Sequence, residues 1–187
     1  MLLDDIINDI YPLPIGSLKK LQDIVTEVIY PKGYLLLEAD KIERSLYFIK
    51  KGIARAYSNL KDTEITFWFG TEGETIISMR SYIEDKKGYE NIELLEDCTL
   101  YEMNTNDLKQ LFESDIHITN WGRKLAEKEL IKTEERMINR EFRTASDRYH
   151  ELMLEQPQLL KRVQLGYIAS YLGITQVSLS RIRAERR

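Results

Sequence analysis

The chain has 187 residues, a formal charge of -4, and 43% apolar and 31% charged residues, an ordinary globular composition that excludes bulk disorder and fibrous repeats. Its longest apolar runs, such as Leu35-Leu36-Leu37 and Phe67-Trp68-Phe69, fall far short of the roughly 18 residues a membrane span needs. One cysteine, Cys98, and two histidines, His117 and His150, exclude an intrachain disulfide and the usual clustered zinc sites.

The opening MLLDDIINDI carries Asp4, Asp5 and Asp9 where an export signal would be positive, so the expected compartment is the cytoplasm, with no membrane partner. Residues 2–10 and 17–29 have helical spacing and are separated by Tyr11-Pro12-Leu13-Pro14, which cannot continue a helix; two lead-in helices are predicted. From Tyr30 to about Met103 the pattern changes to short runs rich in aromatic and β-branched residues, punctuated by Gly33, Gly52, Gly73, Gly88 and the turn-like stretch 59–62. This predicts a many-stranded antiparallel unit. Within it, LYFIKKGIARAY reads as strand, Lys-Lys-Gly turn, strand, and ITFWFG alternates Ile65, Phe67 and Phe69 with Thr66 and Trp68. A span of about 70 residues suits a barrel or jelly roll able to enclose a small ligand. Cys98, in the alternating stretch CTLYEM, reads as a small core residue.

Beyond Asn104 glycine becomes scarce, and a helix is predicted from Asp107 to about Phe142. Trp121, Leu125, Leu130, Ile131, Met137, Ile138 and Phe142 fall on or beside one stripe, which needs either the β unit or a second copy of the chain as its cover. Thr144 is a helix N-cap, and the helix it opens ends at Glu155, before Gln156-Pro157.

Charge is divided unevenly. From Lys161 onward there are six basic residues and one acid, a net of +5, so the first 160 residues carry -9; an acidic body bearing a basic tip points to one small surface that meets a polyanion. In the stretch LGYIASYLGITQVSLSRIR, Ile168 and Leu172 are apolar four apart, Ala169 suits a close helix crossing and Gly173 a reversal. Ile174 plugs the corner, Thr175 caps a second helix, and Leu179 and Ile182 form its buried edge. Helix, tight glycine turn and helix in this order read as a helix-turn-helix, with an ordinary helical hairpin as the other reading. Its outward side holds Gln176, Val177, Ser180 and Arg181. Arg181 suits a bidentate pair with guanine, Gln176 with adenine, and Val177 a thymine methyl. Thr175, Ser178, Arg183 and Arg186 suit phosphate oxygens, and Arg187 belongs to the same basic end.

The order of these parts, and IASYLGIT followed by LSRIR together with SLYFIKKGIARAY, resembles the Crp/Fnr family of bacterial transcription regulators over nearly the whole chain. The resemblance implies an α+β fold. It comprises an N-terminal double-stranded β-helix (β-roll or jelly roll) with flanking helices over residues 1–113, a long dimerisation helix over 114–143 and a helix-turn-helix domain over 144–187. It further implies a homodimer joined through Trp121, Leu125, Ile131, Ile138 and Phe142, with double-stranded DNA and RNA polymerase as partners.

Family members that bind cyclic AMP carry a Gly-Glu pair whose glutamate holds the ribose hydroxyl and an Arg-Ser/Thr pair whose arginine neutralises the cyclic phosphate. Counting back without gaps from IELLEDCTLYEMN, these positions fall on Ile77, Ser78, Gly88 and Tyr89. A phosphate anion buried without a cation is costly, so neither cyclic AMP nor cyclic GMP is an expected ligand. No cofactor is expected, only an unidentified small effector in the β-roll. The family's frequent Arg-Glu opening of the recognition helix is here Gln176-Val177, which implies a different operator. The expected function is therefore a non-enzymatic, homodimeric, sequence-specific DNA-binding regulator. A sensor or assembly module of the same fold that no longer reads DNA is the other reading.

Overall fold

A computed structural model describes residues 1–60 and 63–185. The lead helices α1 (Leu3–Ile10) and α2 (Ile15–Asp23) lie on either side of the two prolines, as the spacing predicts. The helical reading of residues 17–29 runs too far: α2 stops at Asp23, and Val25–Tyr30 is strand β1. Its sequence, VTEVIY, is β-branched or aromatic at every position but Glu27, and such residues favour a pleated, half-buried surface. It pairs along its length with β8 (Cys98–Asn104), Val25 opposite Met103 and Tyr30 opposite Cys98.

Six further strands complete an eight-stranded antiparallel β-roll: β2 (Leu35–Leu37), β3 (Ser45–Lys51), β4 (Ala54–Leu60), β5 (Thr63–Gly70), β6 (Thr75–Ile76) and β7 (Asn91–Leu94). They form two sheets of four, ordered β1-β8-β3-β6 and β2-β7-β4-β5. Of the turn-like stretch 59–62, residues 61 and 62 lie outside the described residues. The strand-turn-strand reading of LYFIKKGIARAY is correct for each strand, but β3 and β4 are not partners in one hairpin, since they belong to different sheets. Gly52, at φ +121°, is the corner where the chain crosses from one sheet to the other, and its N–H donates to Glu72 Oε1 at 3.0 Å. In β5 the buried side chains are Thr66, Trp68 and Phe69, with Ile65 and Phe67 half-buried.

A short helix α3 (Met79–Glu84) precedes β7, and the predicted helix 107–142 is two helices, α4 (Thr105–Ser114) and α5 (Ile116–Phe142). Asp115 makes the break. Its carboxylate accepts from the N–H groups of His117 and Ile118, from Ser17 Oγ at 3.0 and 3.1 Å, and from Lys20 Nζ at 2.9 Å. The Lys20 bond above all, then those from Ser17 and the two backbone donors, pulls its pKa from 3.8 to about 2 despite desolvation. A depressed carboxylate pKa adds stability above the ordinary value, and that stability is lost as pH falls through the folded one. Asp115→Asn is therefore expected to flatten the loss of stability between about pH 4 and pH 2, read from urea midpoints across that range.

The chain forms two compact units, one of Met1–Ala56 with Phe69–Leu130, the other of Tyr57–Trp68 with the chain from Ile131 onward. The first is built on α1, α2, the strands of the β-roll other than most of β4 and β5, and the start of α5: Ile6, Ile7, Leu21, Phe48, Met103 and Trp121 share one buried cluster. Trp121 is fully buried, donates from Nε1 to the Ile7 carbonyl at 3.0 Å and meets Phe48 edge-on, with ring centroids 6.2 Å apart. Leu125 packs on the same cluster. Both were expected on the dimer face; Trp121 is instead fully buried within its own chain and Leu125 is half-buried against the same cluster, because a stripe on a long helix does not declare which apolar surface covers it. Ile131, Ile138 and Phe142 remain exposed, Phe142 at 80%.

The second unit contains α6 (Ala145–Glu155), α7 (Leu159–Arg162), α8 (Leu165–Tyr171) and α9 (Gln176–Ala184). Thr144 opens α6 with a reciprocal capping box to Asp147, satisfying donors that a helix start leaves unpaired. The Arg148 guanidinium donates to the carbonyls of Arg143 and Leu172, each at 2.6 Å, tying α6 to the end of α8. Ser170 on α8 donates to the Glu64 carbonyl at 3.1 Å and accepts from Thr66 N–H at 3.0 Å, which clasps β5 from the far side of the sequence. Among the described residues no helix is long and apolar enough to cross a membrane.

Candidate nucleic-acid interface and cassette site

Helix α8 closes on Gly173 at φ +68°, and Ile174 N–H reaches back to the Ala169 carbonyl at 3.0 Å. This is the left-handed glycine stop with its long return bond. Thr175 then caps α9, its Oγ1 accepting from Ser178 N–H at 3.1 Å. Ile168, Ala169, Leu172 and Leu179 are buried and Ile182 is half-buried. With Leu179 inward, the helical period turns Gln176, Val177, Ser180 and Arg181 to solvent; all four are exposed, Val177 at 62%.

Two of these side chains have local engagements that the spacing did not reveal. Gln176 lies back along α8, so that a Cβ on Gly166 would stand 2.5 Å from its Nε2; contact with a base requires it to swing outward. Thr175 and Ser178 share one hydroxyl hydrogen bond of 3.0 Å, which leaves one hydroxyl hydrogen of the pair for an outside acceptor. Arg183 is half-buried, while Arg186 and Arg187 lie outside the described residues.

The four cassette positions are in the first unit. Ile77 packs on the main core, and Tyr89 is exposed. Ser78 and Gly88 come together: a Cβ on Gly88 would stand 2.7 Å from Ser78 Oγ and 3.2 Å from Glu90 Oε1. Gly88 is pinned on both sides, its N–H donating to Lys41 O and its carbonyl accepting from Asp40 N, each at 2.9 Å. Ser78 is buried at 2% exposure and its hydroxyl has no hydrogen-bond partner. Glu90, 7% exposed, accepts from Tyr89 N–H at 3.0 Å. No arginine stands at the cassette positions, and Arg80 is exposed beside Glu84. The buried guanidinium is on β4, where Arg55 Nη2 donates to Glu93 Oε2 at 2.9 Å. Glu90 and Arg55 were not foreseen, since buried charges among strand residues carry no periodic signature. Cys98 is buried in the roll, and burial pushes its thiol up to about 11, which keeps it protonated and inert.

Residues 27–115 match the cyclic nucleotide-binding domain family. No curated protein matches the chain in sequence. Among solved structures, FixK2 from Bradyrhizobium japonicum is 20% identical with a TM-score of 0.75, over 87% of this chain and 84% of that one. A protein assigned to the Crp/Fnr family of transcriptional regulators, from Eubacterium rectale, is 16% identical with a TM-score of 0.72, over 93% and 85%. A CooA mutant from Carboxydothermus hydrogenoformans is 17% identical with a TM-score of 0.69, over 99% and 84%.

Proposed function

We propose, for a chain that carries a cyclic nucleotide-binding domain within the fold of the Crp/Fnr transcription regulators, that it acts as a homodimeric, sequence-specific DNA-binding regulator needing neither cyclic AMP nor cyclic GMP. The observation that carries this reading is the division of α9: Leu179 buried, Gln176, Val177, Ser180 and Arg181 presented outward, and the helix opened by a capped turn at Thr175. Such a helix enters the major groove with its first turns at the base edges. Arg181 has the forked donors that read guanine. Thr175, Ser178 and Arg183 serve the phosphates on either side of it.

Homodimerisation is supported by the exposed Ile131, Ile138 and Phe142 on α5, a run of apolar surface that needs a cover. Two heads held by such a dimer address half-sites about 34 Å apart. The domain boundaries 1–113, 114–143 and 144–187 and the cytoplasmic setting belong to the same proposal, as does RNA polymerase as a partner.

The test is selection of bound fragments from a genomic library, followed by titration of the enriched site with wild type and Arg181→Ala. Truncation is expected to cost about 1–3 kcal/mol and to relax preference at one base pair per half-site, and wild-type affinity is expected to fall steeply with salt. Equal binding by both proteins, or no enriched sequence at all, overturns the reading in favour of an assembly module.

A further inference from the structure

We infer that the cleft between the end of α5 and α6 docks a basic amphipathic helix of a partner protein. The cleft is open and has a volume of about 590 Å³, room enough for the anchoring side chains of such a helix. Two large apolar side chains line it, Phe142 at 80% and Leu154 at 71% exposure. Single exposed apolar residues are ordinary, but two from different helices lining one hollow make a surface that calls for a cover. Along α6 the wall carries Asp147, Glu151 and Glu155. Spaced four apart, they form one acidic ridge about 12 Å long, close to two turns of helix.

The charge of the ridge selects the occupant. Three carboxylates in the lining stand against one guanidinium, Arg143, which pairs with Glu151 at 2.8 Å; Asn139 donates to the same carboxylate at 3.1 Å. Among the described residues Glu155 meets no cation. Nucleic acid and anionic lipid are repelled by such a wall. A two-fold axis through the cleft would set the ridge against its own copy, so a second subunit is disfavoured there as well. A neutral apolar segment would fill the hollow and strip water from the carboxylates with nothing in return. A helix with large apolar residues four apart and lysine or arginine along its edges meets both demands. Its anchors cover Phe142 and Leu154, and its cations recur about every 6 Å, as the carboxylates do. None of these residues lies on α9, so the inference does not depend on DNA reading. Phe142 also belongs to the stripe proposed to meet a second subunit, and the test therefore falls on Leu154 and Glu155, which do not.

The experiment is fluorescence anisotropy of labelled synthetic peptides of about 15 residues, long enough for a helix to form on the surface, titrated with the full chain. One peptide has leucines four apart on one face and lysines along both edges. A second has the same composition with the leucines scattered, and a third carries glutamate in place of lysine. The patterned peptide is expected to bind saturably, the scattered one about tenfold more weakly, and the acidic one not at all. Leu154→Ser, which removes one apolar anchor, is expected to weaken the patterned peptide about tenfold. Glu155→Lys is expected to weaken it by a similar factor and to flatten its dependence on salt. Glu113→Lys, the same reversal at an exposed acid on α4, is expected to change binding less than twofold. Leu154, Glu155 and Glu113 are all exposed, so each variant keeps the fold, which thermal unfolding checks. Equal binding of the patterned and scattered peptides, wild-type affinity in Leu154→Ser, or equal losses in Glu155→Lys and Glu113→Lys overturns the inference. A fall in particle mass on Leu154→Ser, read by light scattering, overturns it too, because it places a second copy of the chain in the cleft.

Discussion

Trp121→Ala is expected to cost about 3–5 kcal/mol of folding stability, the range for deleting a buried aromatic ring. The ring is fully buried, lies edge-on to Phe48 at 6.2 Å and donates to the Ile7 carbonyl at 3.0 Å, so its removal opens a cavity where the lead helix α1, the sheet and the start of α5 meet. Hydrogen bonding adds little to this figure, because the Ile7 carbonyl keeps a second donor in Tyr11 N–H at 3.1 Å. Trp121→Phe separates the two contributions: it retains most of the packing and loses the indole donor, and about 1–2 kcal/mol is expected. Denaturant midpoints at unchanged slope measure both. If the alanine variant is as stable as wild type, Trp121 is not inside its own subunit and the dimer-face assignment returns.

The second large effect is expected at Gly52. Its φ of +121° is a conformation in which side chains are strained, at about 1–3 kcal/mol. A Cβ there falls inside contact distance of Cys98 Sγ and stands 3.0 Å from Cys98 Cβ and 3.1 Å from its Cα. The sulfur has to move within a packed core where Cys98 is 1% exposed, the backbone of β8 cannot move, and overpacking of this kind adds about 1–3 kcal/mol. Gly52→Ala is therefore expected to destabilise by roughly 2–6 kcal/mol. In the background of Cys98→Ala the same substitution should cost about 1–2 kcal/mol less, because the sulfur clash is gone while the dihedral strain and the crowding against the β8 backbone persist; a double-mutant cycle reads this coupling. A cycle with no coupling places the whole effect in the backbone angle and the crowding against β8.

The C-terminal pair of helices was legible almost residue by residue because its determinants are local. Gly173 in the left-handed region, Thr175 as a cap and Leu179 as the buried edge each follow from steric or hydrogen-bonding rules acting over four or five residues. The Thr144 cap and the stop before Pro157 were readable on the same terms. What the sequence left open were the choices made at long range. Val25–Tyr30 became a strand because β8 offers it a partner along its whole length. The two strands around Gly52 were visible, but turn chemistry does not say which sheet each joins. Trp121 and Ile138 share a helix, and only the tertiary fold assigns one to the core and leaves the other exposed. The cassette count named Ser78 and Gly88, which lie close together, while the buried Glu90 beside them had no pattern to betray it.

The clasp of Ser170 on β5 bears on how the molecule is made. Its two hydrogen bonds span 104 and 106 residues of chain, so the head acquires its full set of contacts only after a segment synthesised a hundred residues earlier has taken its place beneath it. Loop closure of that length is slow relative to helix formation. The nascent C-terminal unit is thus a set of helices awaiting β5, and a fragment beginning at residue 131 would be born without the partner that finishes it.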